Sequence, residues 1–473
     1  GCAWTEAEKS STASAEKKDL ILMFSPEGGR YDHALSNRAM VPFFRRPITG
    51  HLYDCLCLPR TLAKWRICVF IPHWEKTMLE TLNAVAPDPI LGIIAAHAAD
   101  TNPKKIDLGI GVYKNEQGDT PILECVKKAE RILVDTESSK TYLGPPGVAG
   151  FNSAMTDLIF GAESAVVQEN RVRTIQTPGG TGGLRVGADL IDAAMPGCTI
   201  WVSDPTWANH NAVFSAPGLN IEVYPYFDSE SSSLRFDDMM QVLQQRGPGE
   251  VVLFHACCHN PCGVSPSPEQ WEAITDCAAE RGFTPMVDMA YLGFERGLEE
   301  DALSVRLFAE KCPELIVASS CSKNFAVYRE RTGALSVVCK TAQKADDVVT
   351  VINSLTRKNY SMPPTHGPAI VDIILHSAEL TALWHEEVSG MRNRINGLRE
   401  LLVDRISAAG IERDFSFLQR QSGMFSFLGL TVDQVQRLRK EFSIYTVNSA
   451  RVNIASFNQN NIDYFVGALK TVL

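Results

Sequence analysis

The chain has 473 residues, of which 45% are hydrophobic and 21% are charged, and its formal net charge at pH 7 is -10. This length favours two closely packed domains, and the hydrophobic fraction is enough for a large buried core. The acidic balance disfavours nucleic acid and anionic membranes as partners, because both bind basic surfaces. No apolar run is long enough to cross a bilayer.

The 13 cysteines are an odd number and are spread along the chain. Cys257, Cys258 and Cys262 cluster, but no second pair lies at zinc-ribbon spacing, so we expect no metal site. Long chains rich in unpaired thiols are typical of a reducing compartment. We therefore expect a cytoplasmic protein.

Residues 1–77 differ in composition from the rest of the chain. Glu, Ser and Lys crowd residues 5–18, and the sequence that follows shows neither helical nor strand periodicity. No basic start leads into an apolar stretch and a cleavage site, so a secretory signal is not expected. The arginines between residues 45 and 66 are only a weak sign of an organelle transit peptide. We expect a non-catalytic or disordered extension, with the catalytic chain beginning near Met78.

The pattern is orderly from residue 78 onwards. Residues 78–120 are expected to form an N-terminal arm and the first part of a small domain. After Pro121, apolar residues recur at helical spacing and predict a helix with one buried face. That face consists of Ile122, Leu123, Val126, Ala129, Ile132 and Leu133.

Short apolar strands then alternate with helical segments. The predicted strands are Thr199–Ser203, Val251–Ala256, Thr284–Asp288 and Leu315–Ser319, and the predicted helices include Glu269–Arg281 and Leu303–Lys311. Such alternation predicts an α/β domain with a mostly parallel sheet sandwiched by helices, in which ligands bind at the carboxyl ends of the strands. We assign residues 121–389 to this large domain. Residues 390–473 are helix-rich with short strands near Phe425 and Val452, and they are expected to complete a smaller α+β domain.

Lys323 follows the last of these predicted strands, in the sequence Ser-Ser-Cys-Ser-Lys-Asn-Phe. A lysine at a strand end is usually solvated, but this one is flanked by Ser320 and Ser322 and precedes Arg331. A lysine with a depressed pKa can form a Schiff base with an aldehyde cofactor. Serine and arginine together suit a phosphate monoester, because they provide hydroxyl donors and a charged fork.

The glycine-rich run Thr177–Arg185 indicates a second anion-binding element. Gly180 and Thr181 lie where a helix is expected to begin, and backbone N–H groups at a helix start bind phosphate. A plain turn explains this run equally well when it is taken alone. It does not match the dinucleotide-binding fingerprint, because Arg185 stands where the third glycine belongs.

Polar residues at the other strand ends complete a cofactor site. Asp288 can keep a pyridine nitrogen protonated, and Tyr291 and Asn260 can donate to a ring oxygen. Trp207 can stack on the ring, although a core tryptophan is the commoner reading. Two arginines, Arg451 and Arg357, suit the two carboxylates of a dicarboxylic substrate.

The motifs taken together resemble those of the class I aspartate aminotransferases, a family of pyridoxal-phosphate-dependent enzymes. The resemblance runs from Asp88 to the C-terminus. The matching segments are Leu108–Lys114, Tyr142–Gly144, Thr177–Arg185, Cys257–Pro261, Ser319–Phe325, Asn359–Ser361 and Gly423–Phe427.

The resemblance implies an aspartate-aminotransferase-like fold, also called fold type I, and a role for each site residue. Lys323, Asp288 and Tyr291 are the implied catalytic residues, with His210 behind Asp288. The implied cofactor-binding residues are Gly180, Thr181, Trp207, Asn260, Asp288, Tyr291, Ser320, Lys323, Arg331 and Tyr142. The implied substrate-binding residues are Gly111, Trp207, Asn260, Arg357 and Arg451.

In this family Tyr142 and Arg357 act from the adjacent subunit, so the resemblance also implies a homodimer with shared active sites. The implied reaction moves an amino group from L-aspartate to 2-oxoglutarate. An aromatic-amino-acid aminotransferase with the same mechanism is the close alternative. A nicotinamide dehydrogenase and a non-catalytic binding protein are further alternatives, which the failed fingerprint and the complete site disfavour.

The chain departs from the family pattern at several positions. Cys262 replaces a threonine after Asn-Pro, and Cys321 replaces an aromatic residue in the lysine motif. Ala326 stands where glycine is common. Met362 and Thr141 replace polar residues near the end of the site that receives the substrate side chain, so they bear on the choice between aspartate and aromatic substrates.

Overall fold

The structure, a computed structural model, describes residues 78–84 and 89–473 and, nearer the N-terminus, four strands. These are β1 Ile21–Ser25, β2 Phe44–Ile48, β3 His51–Cys57 and β4 Arg66–Pro72. They form an antiparallel sheet in the order β1-β4-β3-β2. The chain divides into two compact units, Gly1–Ala86 and Pro87–Leu473.

The N-terminal strands are not visible in the sequence periodicity. Ile21–Ser25 and Arg66–Pro72 contain continuous apolar runs, and such runs carry no period of two. Most of residues 1–77 lies outside the described part of the chain. The expectation that this segment is a non-catalytic or disordered extension therefore stays a prediction.

The second unit alternates helices and strands. Its helices are α1 Pro89–Ala99, α2 Glu124–Thr136, α3 Ala149–Phe160, α4 Ala165–Gln168, α5 Gly179–Ala194, α6 Asn209–Ser215, α7 Phe236–Leu243, α8 Pro268–Arg281, α9 Leu298–Asp301, α10 Leu303–Lys311, α11 Ala342–Asn359, α12 His366–Leu375, α13 Ala378–Ala408, α14 Phe417–Arg420, α15 Val432–Phe442 and α16 Ile462–Val472. Its strands are β5 Ile106–Asp107, β6 Val172–Pro178, β7 Thr199–Asp204, β8 Asn220–Pro225, β9 Phe227–Asp228, β10 Ser233–Leu234, β11 Glu250–His255, β12 Thr284–Met289, β13 Leu315–Ser320, β14 Thr332–Val338, β15 Phe425–Phe427, β16 Ile444–Tyr445 and β17 Arg451–Asn453. Two 3-10 helices, Met78–Thr81 and Ile454–Ser456, complete the described elements.

A seven-stranded sheet in the order β6-β14-β13-β12-β11-β7-β8 forms the centre of this unit. Neighbouring strands from β13 to β8 run parallel, and β14 runs antiparallel to both of its neighbours. Every residue of β13 is buried, as expected for a strand covered by helices on both faces. The predicted α/β fold with a mostly parallel sheet is confirmed. The carboxyl ends of β13, β12, β11 and β7 therefore meet at one edge.

Local sequence signals set several boundaries. The helix α8 begins at a capping box formed by Ser267 and Gln270, has Pro268 in its first turn, and ends at Gly282 with φ of 79°. The four predicted strands are present, and the carboxyl end of each is shifted by one residue. The strand predicted to end at Ala256 ends at His255.

The helix predicted after Pro121 is present, and most of its predicted face is buried. It begins at Glu124, and Ile122 and Ile132 are 53% and 42% exposed. Cys125 is fully buried instead. The other four residues of the predicted face, Leu123, Val126, Ala129 and Leu133, are buried as expected.

A smaller layer of short strands brings together residues from the start and from the end of the second unit. The strand β5 pairs in parallel with β16, and β15 pairs antiparallel with β17. The helix α13 has 31 residues and runs without interruption through Ser389, where the sequence places a domain boundary. The assigned domain limits stay predictions. Among the described residues, no helix is long and apolar enough to cross a membrane.

Candidate active site

A cavity of about 230 Å³ opens at the edge where the parallel strands end. Lys323 follows β13, Asp288 lies near the end of β12, Asn260 follows β11 and Trp207 follows β7. The lining residues are Gly111, Gly180, Thr181, Leu184, Trp207, Asn260, Asp288, Ala290, Tyr291, Ser320, Ser322, Lys323, Tyr328, Arg331, Phe425 and Arg451. All the predicted site residues except Tyr142 and Arg357 are among them.

Lys323 is the amine in this cavity. Its Nζ lies 4.7 Å from the centroid of the Tyr291 ring. Burial lowers the pKa of the Lys323 ammonium, the carboxylate of Asp288 acts in the opposite direction, and the positive charge of Arg331 lowers it further. A lysine with a lowered pKa is more often neutral, and the neutral amine is the form that acts as a nucleophile or a base.

A chain of hydrogen bonds runs behind Asp288. His210 Nε2 lies 3.2 Å from Asp288 Oδ2, His210 Nδ1 lies 2.8 Å from the Thr206 hydroxyl oxygen, and that oxygen lies 3.2 Å from His255 Nε2. A carboxylate only accepts, so Nε2 of His210 carries the donated proton. The Thr206 hydroxyl lies between His210 Nδ1 and His255 Nε2, so it can donate to one of these nitrogens and accept from the other.

This chain keeps Asp288 negatively charged. Burial by itself raises the pKa of the Asp288 carboxyl, but the hydrogen bond that His210 donates, together with the nearby Lys323, brings it below its ordinary value. Burial also lowers the pKa of His255 to about 3, so this imidazole is neutral at pH 7. A permanently ionised carboxylate in a buried site is what a protonated ring nitrogen needs as a partner.

The opposite end of the cavity is built to receive an anion. The helix α5 begins at Gly179, and within the described residues no side chain caps it, so its first N–H groups are available. Gly179 has φ of 71°, and a Cβ there would lie 2.4 Å from Nη2 of Arg331. The glycine therefore lets the guanidinium approach the helix start. Ser320 places a hydroxyl beside the same turn.

Arg451 forms the third side of the cavity. It is 6% exposed, and its guanidinium donates to Asn260 Oδ1 at 3.2 Å and to the Gly109 carbonyl at 2.9 Å. The Phe425 ring lies beneath it, 4.2 Å from the guanidinium carbon to the ring centroid. These contacts orient the arginine fork towards the cavity, which suits a carboxylate.

Tyr142 and Arg357 lie outside the cavity. Tyr142 is 90% exposed, and Arg357 is exposed with one hydrogen bond to the Ser361 hydroxyl. Both residues were expected to act on a neighbouring subunit, so their surface positions agree with that role without testing it.

Several lining residues were not predicted. Tyr328 and Phe425 are the most informative, because Tyr328 accepts a backbone hydrogen bond and Phe425 packs under Arg451. Phe425 stands within a motif that the resemblance covers, whereas Tyr328 stands between Lys323 and Arg331 without a distinctive neighbour. Among the described residues no group of three or more His, Cys, Asp or Glu side chains is placed to hold a metal ion.

Comparison with known proteins identifies the family. A model of the aminotransferase class I and II family matches residues 103–469. The chain belongs to this family. It is 48% identical to the aspartate aminotransferase of Salmonella typhi over 396 residues, which cover 84% of this chain and all of the relative. It is 45% identical to an aromatic-amino-acid aminotransferase of Pseudomonas aeruginosa, over 82% of this chain and 97% of that protein.

A solved structure also matches closely. The aromatic-amino-acid aminotransferase from Burkholderia pseudomallei, covalently bound to pyridoxal phosphate, superposes with a TM-score of 0.82 at 42% identity. The match covers 84% of this chain and all of that chain. The predicted membership of the class I aminotransferases and the predicted fold are thereby confirmed.

Proposed function

We propose that this aminotransferase catalyses the reversible, pyridoxal-phosphate-dependent transfer of the amino group from L-aspartate to 2-oxoglutarate, giving oxaloacetate and L-glutamate. The observation that carries this proposal is one cavity lined by Lys323, by Asp288 with its lowered pKa, and by the uncapped start of α5. The naming of the Salmonella typhi relative as an aspartate aminotransferase supports the choice of substrate.

The residues present fit pyridoxal phosphate. The start of α5, with Gly180, Thr181, Ser320 and Arg331, provides a cradle for the phosphate. A Cβ at Gly180 would lie 2.9 Å from the Ser320 Cβ, so the cradle depends on a residue without a side chain. Asp288 suits the ring nitrogen, Asn260 and Tyr291 suit the ring oxygen, and Trp207 suits the ring face.

When bound, pyridoxal phosphate supplies an aldehyde for the amino group and a ring that withdraws electrons from the substrate α-carbon. The chain supplies the proton chemistry and the charge. Lys323 Nζ removes the proton from the α-carbon, which requires the neutral amine that burial favours. Asp288, fixed by His210, holds the negative charge that stabilises a protonated ring nitrogen. Burial raises the pKa of Tyr291, so its phenol stays a hydrogen-bond donor at neutral pH.

Two arginines can bind the two carboxylates of a dicarboxylic substrate. We assign the α-carboxylate to Arg451, with Asn260 and Gly111 beside it, and the side-chain carboxylate to Arg357 of a second subunit. In that homodimer Tyr142 reaches the phosphate of the neighbouring site. Tyr142 is 90% exposed in the single chain, as expected for a residue that contacts the active site of a second subunit.

We also propose that the enzyme is cytoplasmic. The nine cysteines from Cys125 to Cys339 are free and buried, which suits a reducing compartment. The N-terminal extension is proposed to take no part in catalysis.

An aromatic-amino-acid aminotransferase is the second candidate. Met362 and Thr141 are less polar than the residues that the family has there, and apolar neighbours favour an aromatic side chain over a carboxylate. The relatives from Pseudomonas aeruginosa and Burkholderia pseudomallei carry that name. The ratio of kcat/KM for aspartate to that for phenylalanine decides between the candidates, with aspartate expected to be preferred.

The visible absorbance spectrum of the purified full chain with pyridoxal phosphate tests the proposal directly. We expect a cofactor band that bleaches on addition of aspartate and returns with 2-oxoglutarate. A band that responds to tyrosine and not to aspartate would favour the second candidate. Absence of any band would contradict cofactor binding and therefore both candidates.

A further inference from the structure

We propose that Tyr328 is a positioning residue that ties the substrate-facing segment Gly109–Tyr113 to the loop that carries Lys323, through the hydrogen bond from the Tyr113 N–H to the Tyr328 hydroxyl. The proposal rests on the proposed aminotransferase function and assigns that site a residue that no motif singled out.

The segment Gly109–Tyr113 lacks regular secondary structure and yet contributes Gly111 to the cavity. Its shape depends on side chains that bind its backbone. Asn453 Nδ2 donates to the carbonyls of Ile110 and Val112, each at 2.7 Å. Arg451 donates to the Gly109 carbonyl at 2.9 Å. These donors all belong to β17, so they hold the segment against the smaller layer.

The Tyr113 N–H is bound from the other side of the cavity. It donates to the Tyr328 hydroxyl at 2.9 Å. Tyr328 lies five residues after Lys323 and three before Arg331, and Arg331 Nη1 donates to the Tyr328 carbonyl at 2.8 Å. A single hydroxyl therefore links the segment that faces the substrate to the loop that carries the lysine and the phosphate-end arginine.

The chemistry of the phenol suits this role. Burial raises the pKa of Tyr328, so the hydroxyl stays protonated over the working range of the enzyme. Its oxygen accepts the backbone N–H, and its own proton remains available to the cavity that Tyr328 lines.

Space at Gly111 explains why the position of the segment matters. A Cβ on Gly111 would lie 2.6 Å from Cζ of Phe425, the ring that packs under Arg451. The segment, this ring and the arginine are thus in direct contact. A shift of the segment would displace the groups assigned to the α-carboxylate, but it would leave Lys323 and Asp288 in place.

The test compares Tyr328→Phe with wild type in the full-length, cofactor-loaded protein. Loss of one neutral hydrogen bond is expected to raise KM for aspartate by roughly three- to ten-fold, with kcat changed less than about two-fold. The dissociation constant of succinate, a dicarboxylate without an amino group, should rise by the same factor in titration calorimetry. Affinity for pyridoxal phosphate should be unchanged.

Tyr464→Phe is the matched control, because it removes a tyrosine hydroxyl that donates to the Phe442 carbonyl outside the cavity. It should leave KM and succinate affinity unchanged. Equal behaviour of the two variants, or a loss in Tyr328→Phe that falls on kcat or on cofactor affinity, overturns the positioning role. A wild-type protein that binds succinate but does not turn over aspartate contradicts the proposed function. In that case the dissociation constants of succinate for wild type and Tyr328→Phe still decide the role of Tyr328.

Discussion

The two ends of the active-site cavity are built on opposite principles. At the Asp288 end, His210 is fully buried, and its two ring nitrogens have partners in Asp288 and Thr206. At the phosphate end, Arg331 is exposed, and the start of α5 has no side-chain cap in the described structure. The buried end fixes a charge before any ligand arrives, because an unpaired buried carboxylate would be costly. The open end leaves donors for a ligand that brings its own charge.

From this difference we expect that substitutions at the buried end lower kcat. Substitutions at the open end are expected to lower the affinity for pyridoxal phosphate. Four substitutions, at Asp288, at His210 and at two positions near them, test this expectation from the largest expected effect to the smallest.

Lys323→Ala should have the largest effect. It removes the only amine among the lining residues, so kcat should fall by about 10⁴-fold, the upper range for loss of a proton-transfer group. Steady-state rates with aspartate and 2-oxoglutarate measure this, and circular dichroism should show an unchanged fold. Lys340→Ala, at an exposed position, is the control. A Lys323→Ala enzyme with normal turnover would overturn the mechanism.

Asp288→Asn should come next. The amide keeps the shape but loses the charge, so kcat should fall by roughly 10²- to 10³-fold, while affinity for pyridoxal phosphate falls less. Asp204→Asn, at an exposed strand end, should behave as wild type. If Asp288→Asn weakens cofactor binding and leaves kcat intact, the contrast between the two ends is wrong.

His210→Phe should shift the pH dependence. The depressed pKa of Asp288 contributes stability that is fully present above the ordinary carboxyl range and is lost as pH falls through the lower, folded-state pKa. Without the hydrogen bond from His210 that pKa rises, so the acid limb of kcat/KM should move to higher pH by about one to two units. Rates measured across the acid range test this.

His376→Phe is the control for that variant, because it removes an exposed histidine that pairs with Asp372. Its pH profile should match that of wild type. An acid limb that stays in place in His210→Phe would mean that the histidine does not set the charge of Asp288.

Cys262→Thr should have the smallest effect. Cys262 is fully buried, and its sulfur lies 3.1 Å from Nδ1 of His259, a contact that a threonine hydroxyl can replace. Threonine is close in size, so kcat and KM should stay within about two-fold of wild type. Cys262→Ala provides the comparison without a polar group. A large loss in the threonine variant would show that the departure from the family pattern has a function of its own.

The sequence predicted much of the fold for a physical reason. Buried parallel strands such as Leu315–Ser320 appear as short apolar runs, and the helices between them carry their own caps, as at Ser267. The same patterns do not reveal the strands near the N-terminus, and they assign Ile122 and Ile132 to the buried face of the helix after Pro121 although both are exposed. Neither a continuous apolar run nor a single proline specifies which residues a neighbouring element covers.

The sequence by itself determined which residues can do the chemistry, because Lys323, Asp288 and the glycine-rich run stand in ordered motifs next to strand ends. Only the tertiary structure decided how they are held. The His255 ring on the Thr206 hydroxyl, the His210 ring on Asp288 and the Tyr328 hydroxyl on Tyr113 are brought together across 49, 78 and 215 residues of sequence. Contacts between side chains so far apart along the chain leave no local period, and they arise when the folded sheet brings its strand ends to one edge.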